Sequence, residues 1–224
     1  MTDIKAVLFD LDGTLLDTLT DLAESMNAVL ARLGLPGHPR DAYRYFVGEG
    51  VEVLARRALP EESRRQEMIR RCADEMRIEY QGRWAETSRP YPGIPELLDS
   101  LASLGLSLTI LSNKPDDFTR LAVNRFLPGW PWQEVRGERA GTPRKPDPSG
   151  ALVIAGKLGL APGQFLYLGD TNIDMRTAIT AGMYPVGVLW GFRTRTELEE
   201  AGAKTLLHHP LDLLAQLDGI GMKD

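Results

Sequence analysis

The chain has 224 residues, 43% of them hydrophobic and 25% charged, with a formal net charge of −5. That length suits one large domain or a core domain with a smaller companion, and the acidic balance argues against a nucleic-acid partner, which meets a basic face. A single cysteine, Cys72, excludes an internal disulfide and fits a reducing compartment. No apolar stretch approaches the ~20 residues needed to span a bilayer, and the first apolar run is too short for a secretion signal and ends in acids. The expectation is a cytoplasmic protein without a membrane partner.

Ile4 to Phe9 is apolar except for Lys5 and predicts a strand buried on both faces. It runs into Asp10-Leu11-Asp12-Gly13-Thr14. In open α/β sheets, ligands bind just beyond the carboxyl ends of the strands. Two carboxylates so close repel each other unless a divalent cation, a shared proton or a division of roles relieves them. A hard ion such as Mg²⁺ suits a few carboxylates with waters or substrate phosphate, and leaves one carboxylate able to attack phosphorus. An Asp-Gly turn with solvated acids is the plain alternative.

Thr18 or Thr20 caps a helix running to Leu33, ended by Gly34 and a loop through Pro36 and Pro39. From Arg40 to about Trp84 the pattern stays helical, broken at Gly48-Glu49-Gly50 and Pro60, with many arginines and no lysine. Strand and helix then alternate: helix Pro95–Leu104, strand Leu106–Leu111, helix Asp116–Phe126, a weak strand near Gln133–Arg136, and helix Pro148–Leu158. Strand Phe165–Leu168, helix Ile173–Ala181, strand Pro185–Leu189 and helices Thr196–Ala201 and Leu211–Leu217 follow. This order predicts an α/β fold, a Rossmann-like parallel sheet flanked by helices. Residues 1–16 and 89–224 form its core domain, and 17–88 a small inserted helical cap domain.

Three further stations carry polar groups at strand or helix ends. Ser112 and Asn113 close a strand, where the Ser112 hydroxyl and the following N–H groups suit a phosphoryl oxygen; a strand-to-helix cap explains the same residues. Lys145, between Arg144 and Pro146, brings a cation ahead of a helix, or is a solvated loop lysine. Asp170 ends a third strand after Gly169. Asp174 falls in the first turn of the next helix, where the dipole favours a carboxylate.

In this order the four stations resemble the haloacid dehalogenase-like superfamily, and the match spans Ile4 to about Leu189. The resemblance implies an enzyme in which Asp10 is the nucleophile forming an aspartyl-phosphate and Asp12 the general acid and base. Mg²⁺ would be held by Asp10, the backbone carbonyl of Asp12 and Asp170, with Asp174 supporting the metal site from behind it or near it. Ser112, Asn113 and Lys145 would bind the phosphoryl group, and Thr14 would order the first loop. The intact acid at position 12 favours phosphoryl transfer over carbon–halogen cleavage and over a phospho-acceptor switch. The helical insertion resembles the cap of the phosphoglycolate phosphatase-like group, with Arg44-Tyr45-Phe46-Val47-Gly48-Glu49-Gly50 as its Arg-Gly-Gly stretch. Arg44 there is a candidate for a substrate carboxylate, against a salt-bridged surface face. A cap without lysine disfavours Schiff-base chemistry. The expected substrate is a small phosphorylated metabolite, 2-phosphoglycolate first, with sugar phosphates or a β-phosphoglucomutase-like transfer as alternatives. The expected assembly is a monomer or homodimer.

Overall fold

The computed structural model describes residues 3–220, so positions 1–2 and 221–224 of the expected core segments lie outside it. Strand β1 (Ala6–Phe9) is followed by β2 (Leu16–Asp17) and by helices α1 (Leu19–Arg32), α2 (Tyr43–Phe46), α3 (Val51–Ala58) and α4 (Gln66–Arg83). Then come β3 (Arg89–Pro90), α5 (Ile94–Ser103), β4 (Ser107–Pro115), α6 (Asp116–Phe126), β5 (Trp132–Glu138) and α7 (Ser149–Leu158). The chain closes with β6 (Phe165–Gly169), α8 (Asn172–Ala181), β7 (Tyr184–Val188), α9 (Arg195–Glu200), β8 (Thr205–Leu207) and α10 (Asp212–Ile220). Two compact units result, Met1–Leu16 with Pro90–Asp224, and Asp17–Arg89. β2 and β3 pair in a separate two-stranded sheet.

The first unit is built on a six-stranded sheet in the order β5-β4-β1-β6-β7-β8, parallel throughout. The α/β architecture expected from the alternation is the one observed. β1 is central, and all four of its residues are fully buried. A large apolar side chain so placed stabilises the fold by about 1.5–3 kcal/mol over its exposed state. One layer of the core joins Ala6 and Leu8 to Phe165, Leu111, and Ala151, Ile154 and Ala178 of α7 and α8. From β1 the chain moves outward through β4 to β5, then returns to β6 on the other side. That reversal opens the crevice at the carboxyl ends of the central strands. Phe9 pairs with Ile110 and with Leu168, so the residues that follow on all three strands emerge at one level.

Three strands of the six-stranded sheet differ markedly from expectation. β4 runs to Pro115 rather than stopping at Leu111; pairing with β5 continues past a register shift, and the polar residues Ser112, Asn113 and Lys114 stay buried. β5 is longer than its weak apolar signal. β8 was not anticipated, because three residues are too few to show a period.

In the helical unit, Thr18 does not cap α1 with its side chain; its hydroxyl is buried with no hydrogen-bond partner among the described residues. The Asp17 carboxylate instead accepts from Leu19 N at 3.4 Å. Asp21 of α1 binds the segment before β3, accepting from Thr87 N and Oγ1 and from Ser88 N and Oγ at 2.6–2.9 Å. His38 is structural: its ring nitrogen lies 2.7 Å from the Ala58 carbonyl, and its backbone is bracketed by Asn27. Cys72 is buried, and burial, with Glu75 nearby, pushes its thiol up to about 11, which suits packing rather than reactivity. Arg44 pairs with Asp41 at 3.8 Å within this unit.

Candidate active site

The first unit brings three carboxylates together at the strand tips. Oxygens of Asp10, Asp170 and Asp174 all lie within 4.8 Å of one another, and all three residues are buried. Asp10 follows β1 directly, its N–H donating to the Leu168 carbonyl at 2.9 Å. Asp170 follows β6. Its Oδ1 accepts from the Thr14 hydroxyl at 3.0 Å and its Oδ2 from the Phe192 N–H at 2.9 Å. Asp174 stands in the first turn of α8, where Oδ2 accepts from Thr171 Oγ1 at 2.6 Å and Thr171 N at 3.1 Å, a reciprocal cap of the helix. Asp174 is therefore a member of the carboxylate cluster.

Two lysines divide these acids. Lys145 Nζ lies 2.8 Å from Asp10 Oδ1 and 2.7 Å from Asp174 Oδ1. Lys114 Nζ lies 3.1 Å from both oxygens of Asp12, so the Asp12 carboxylate stands apart from the metal-like cluster. Ser112 is buried beside them, its Oγ accepting from Lys114 N at 3.2 Å. Asn113, expected on the phosphate, has its side-chain amide on the backbone of Lys145. It donates to the Lys145 carbonyl at 3.0 Å and accepts from the Lys145 N–H at 2.9 Å, and so fixes the loop that carries the cation.

Burial dominates the electrostatics. It pushes the Asp10 carboxyl up to about 7, with Lys145 pulling down and Asp174 pushing up. Burial, then Asp174 and Asp10, holds Asp170 well above the carboxylate range. Lys145 is held well above its ordinary value, because Asp10 and Asp174 outweigh the cost of burying its charge. A cluster of hard oxygens that resists ionising together fits a divalent cation.

The haloacid dehalogenase-like hydrolase family matches residues 7–188, from inside β1 to the end of β7. The chain belongs to this family. It is 30% identical over 219 residues to a phosphoglycolate phosphatase of Mannheimia succiniciproducens, covering 95% of this chain and 98% of the relative. It is 33% identical over 223 residues to an N-acetylmuramic acid 6-phosphate phosphatase of Pseudomonas aeruginosa, covering 96% and 95%. The structure of a predicted phosphoglycolate phosphatase from Haemophilus somnus superposes with a TM-score of 0.88 at 28% identity, over 96% of this chain and 98% of that one. No helix among the described residues is long and apolar enough to cross a membrane.

Several members of this hydrolase's site carry little sequence signal. Lys114 follows Ser112 by two positions in β4, and that spacing is the available clue in the sequence. Tyr167, inside the apolar strand β6, brings its hydroxyl to 3.4 Å from Asp174 Oδ1. The Trp190-Gly191-Phe192 segment holds two of these residues: the Trp190 indole donates to the Thr14 carbonyl at 2.9 Å, and the Phe192 N–H donates to Asp170. A Cβ at Gly191 would stand 2.2 Å from Asp170 Cβ.

Proposed function

We propose that this hydrolase is a Mg²⁺-dependent phosphomonoesterase whose first-choice substrate is 2-phosphoglycolate. The observation that carries the reading is the division of acids at the strand tips: Asp10 with Lys145 in the carboxylate cluster, and Asp12 with its own lysine outside it. Asp10, Asp170 and the Asp12 backbone carbonyl are the groups to hold Mg²⁺, which when bound supplies positive charge to the phosphoryl oxygens. Asp10 attacks phosphorus, forming a P–O bond as the bond to the leaving alcohol breaks, and Asp12 gives that alcohol its proton. Asp12 then takes a proton from the water that hydrolyses the aspartyl-phosphate. Ser112 and Lys145 face the charge spreading over the phosphoryl oxygens. Asn113 keeps Lys145 in place, and Thr14 orders the first loop through Asp170. The helical unit 17–89 is the cap in this reading, with Arg44 as its candidate contact to a substrate carboxylate. The single cysteine and acidic composition suit the cytoplasm.

Phosphoglycolate rests on the relatives at 30% identity. N-acetylmuramic acid 6-phosphate is the second reading, because that relative is the more identical one at 33%. Phosphate release with Mg²⁺ from these two compounds and from hexose phosphates separates them, and kcat/KM for 2-phosphoglycolate is expected to be highest. EDTA is expected to stop release and added Mg²⁺ to restore it. Asp10→Asn is expected to abolish it; turnover surviving that change would remove Asp10 from its role.

A further inference from the structure

Lys114 belongs to none of the four stations, yet its side chain is only 4% exposed and its ammonium meets both oxygens of Asp12 at the same 3.1 Å. We infer that Lys114 is the positioning residue of the proton-transfer step, holding the Asp12 carboxylate toward the leaving group and away from the metal cluster. The inference rests on the phosphatase reading above.

Three observations support it. First, Asp12 follows Asp10 by two positions, beside three other acids that would share any divalent ion with it; yet the convergent group contains Asp10, Asp170 and Asp174 without Asp12. A cation equidistant from the two carboxylate oxygens fixes the direction of that carboxylate. Second, the Lys114 backbone is itself fixed. Its N–H donates to Ser112 Oγ at 3.2 Å and its carbonyl accepts from Thr119 Oγ1 at 3.1 Å. Gly137 of β5 approaches so closely that a Cβ there would stand 2.7 Å from that carbonyl. Third, Ser112 and Lys114 stand two positions apart in β4 and are joined by the Lys114 N–H to Ser112 Oγ bond, so the element that carries the candidate phosphate hydroxyl also carries the Asp12 clamp.

Proton donation matters in proportion to how poor the leaving group is. In the first step, which kcat/KM reports, loss of Asp12 positioning should therefore spare p-nitrophenyl phosphate, whose phenolate leaves unaided, and slow an alkyl phosphate; hydrolysis of the aspartyl-phosphate is common to both and enters kcat only. The test measures kcat/KM on p-nitrophenyl phosphate and on whichever of 2-phosphoglycolate and N-acetylmuramic acid 6-phosphate is turned over faster, with Mg²⁺, using the full chain. Lys114→Met is expected to lower kcat/KM on the alkyl phosphate by about 10²-fold and on p-nitrophenyl phosphate by less than about tenfold. Lys114→Arg should recover most of that loss. In an Asp12→Asn background, Lys114→Met should leave the alkyl-to-aryl ratio unchanged, since the two residues act as one unit. Equal losses on both substrates, or a further change of ratio in the double variant, overturn the inference. If Lys114→Met fails to fold, the same ratios are read from Lys114→Gln and Asp12→Asn/Lys114→Gln: a lowered alkyl-to-aryl ratio in the single variant and no further change in the double variant support the inference, and any other pattern overturns it. A wild-type ratio in Asp12→Asn alone sinks the phosphatase role of Asp12 itself, a different failure from that of Lys114.

Discussion

Gly13 turns with a φ of +90° directly against Asp170, whose Oδ2 would stand 2.4 Å from any Cβ at that position. The glycine is needed twice, for the left-handed backbone and for the space. Gly13→Ala is expected to displace the Asp170 carboxylate, weaken Thr14's hydrogen bond to it, and cut phosphate release by at least about 10²-fold, the scale on which a misplaced active-site group costs rate. Steady-state kinetics over a Mg²⁺ titration check this; a variant with wild-type kcat and Mg²⁺ requirement would show that the turn tolerates the methyl.

Lys145 is the cation shared by Asp10 and Asp174. Lys145→Met leaves two buried carboxylates facing each other, and breaking a buried pair in this way costs about 3–5 kcal/mol. Denaturant unfolding in EDTA should show that loss. Lys145→Arg should not restore activity, because a planar fork does not occupy the place of a compact ammonium.

The metal-free protein should lose stability as pH rises. Folding lifts the Asp10 carboxyl from 3.8 to about 7, chiefly by burial, so between these values the native state binds the proton that the unfolded chain releases. The contribution is fully present below the lower value and gone above the upper one. Thermal melting in EDTA from pH 4 to 8 should fall accordingly, and Asp10→Asn should flatten the fall. Mg²⁺ should raise the melting temperature more at pH 8 than at pH 5, because the ion takes deprotonated ligands.

Asp21 accepts hydrogen bonds from both N–H groups and both hydroxyls of Thr87 and Ser88. Asp21→Ala leaves those donors without their anion, and hydrogen bonds to charged groups contribute about 1.5–3 kcal/mol each where they are lost. The expected outcome is a destabilisation of at least about 2 kcal/mol in urea unfolding. An unchanged midpoint would mean that water replaces the carboxylate.

The sequence by itself determined the α/β class, most strand and helix positions, and the idea that acids cluster at strand tips. It did so because local periods are short-range properties: a buried parallel strand must be almost wholly apolar, and its first polar residue marks its carboxyl end. Asp10 and Asp170 announced themselves in that way, whereas Ser112 lies inside β4, which runs on to Pro115. Partner choice was decided only by the tertiary structure. Lys114 reaches Asp12 across 102 positions and Thr14 reaches Asp170 across 156, distances fixed by the order and register of the sheet. Asn113 on the Lys145 backbone and Asp174 within the cluster follow from the same cause. A side chain's type says what it is able to bind, and packing alone says what stands within 3 Å of it.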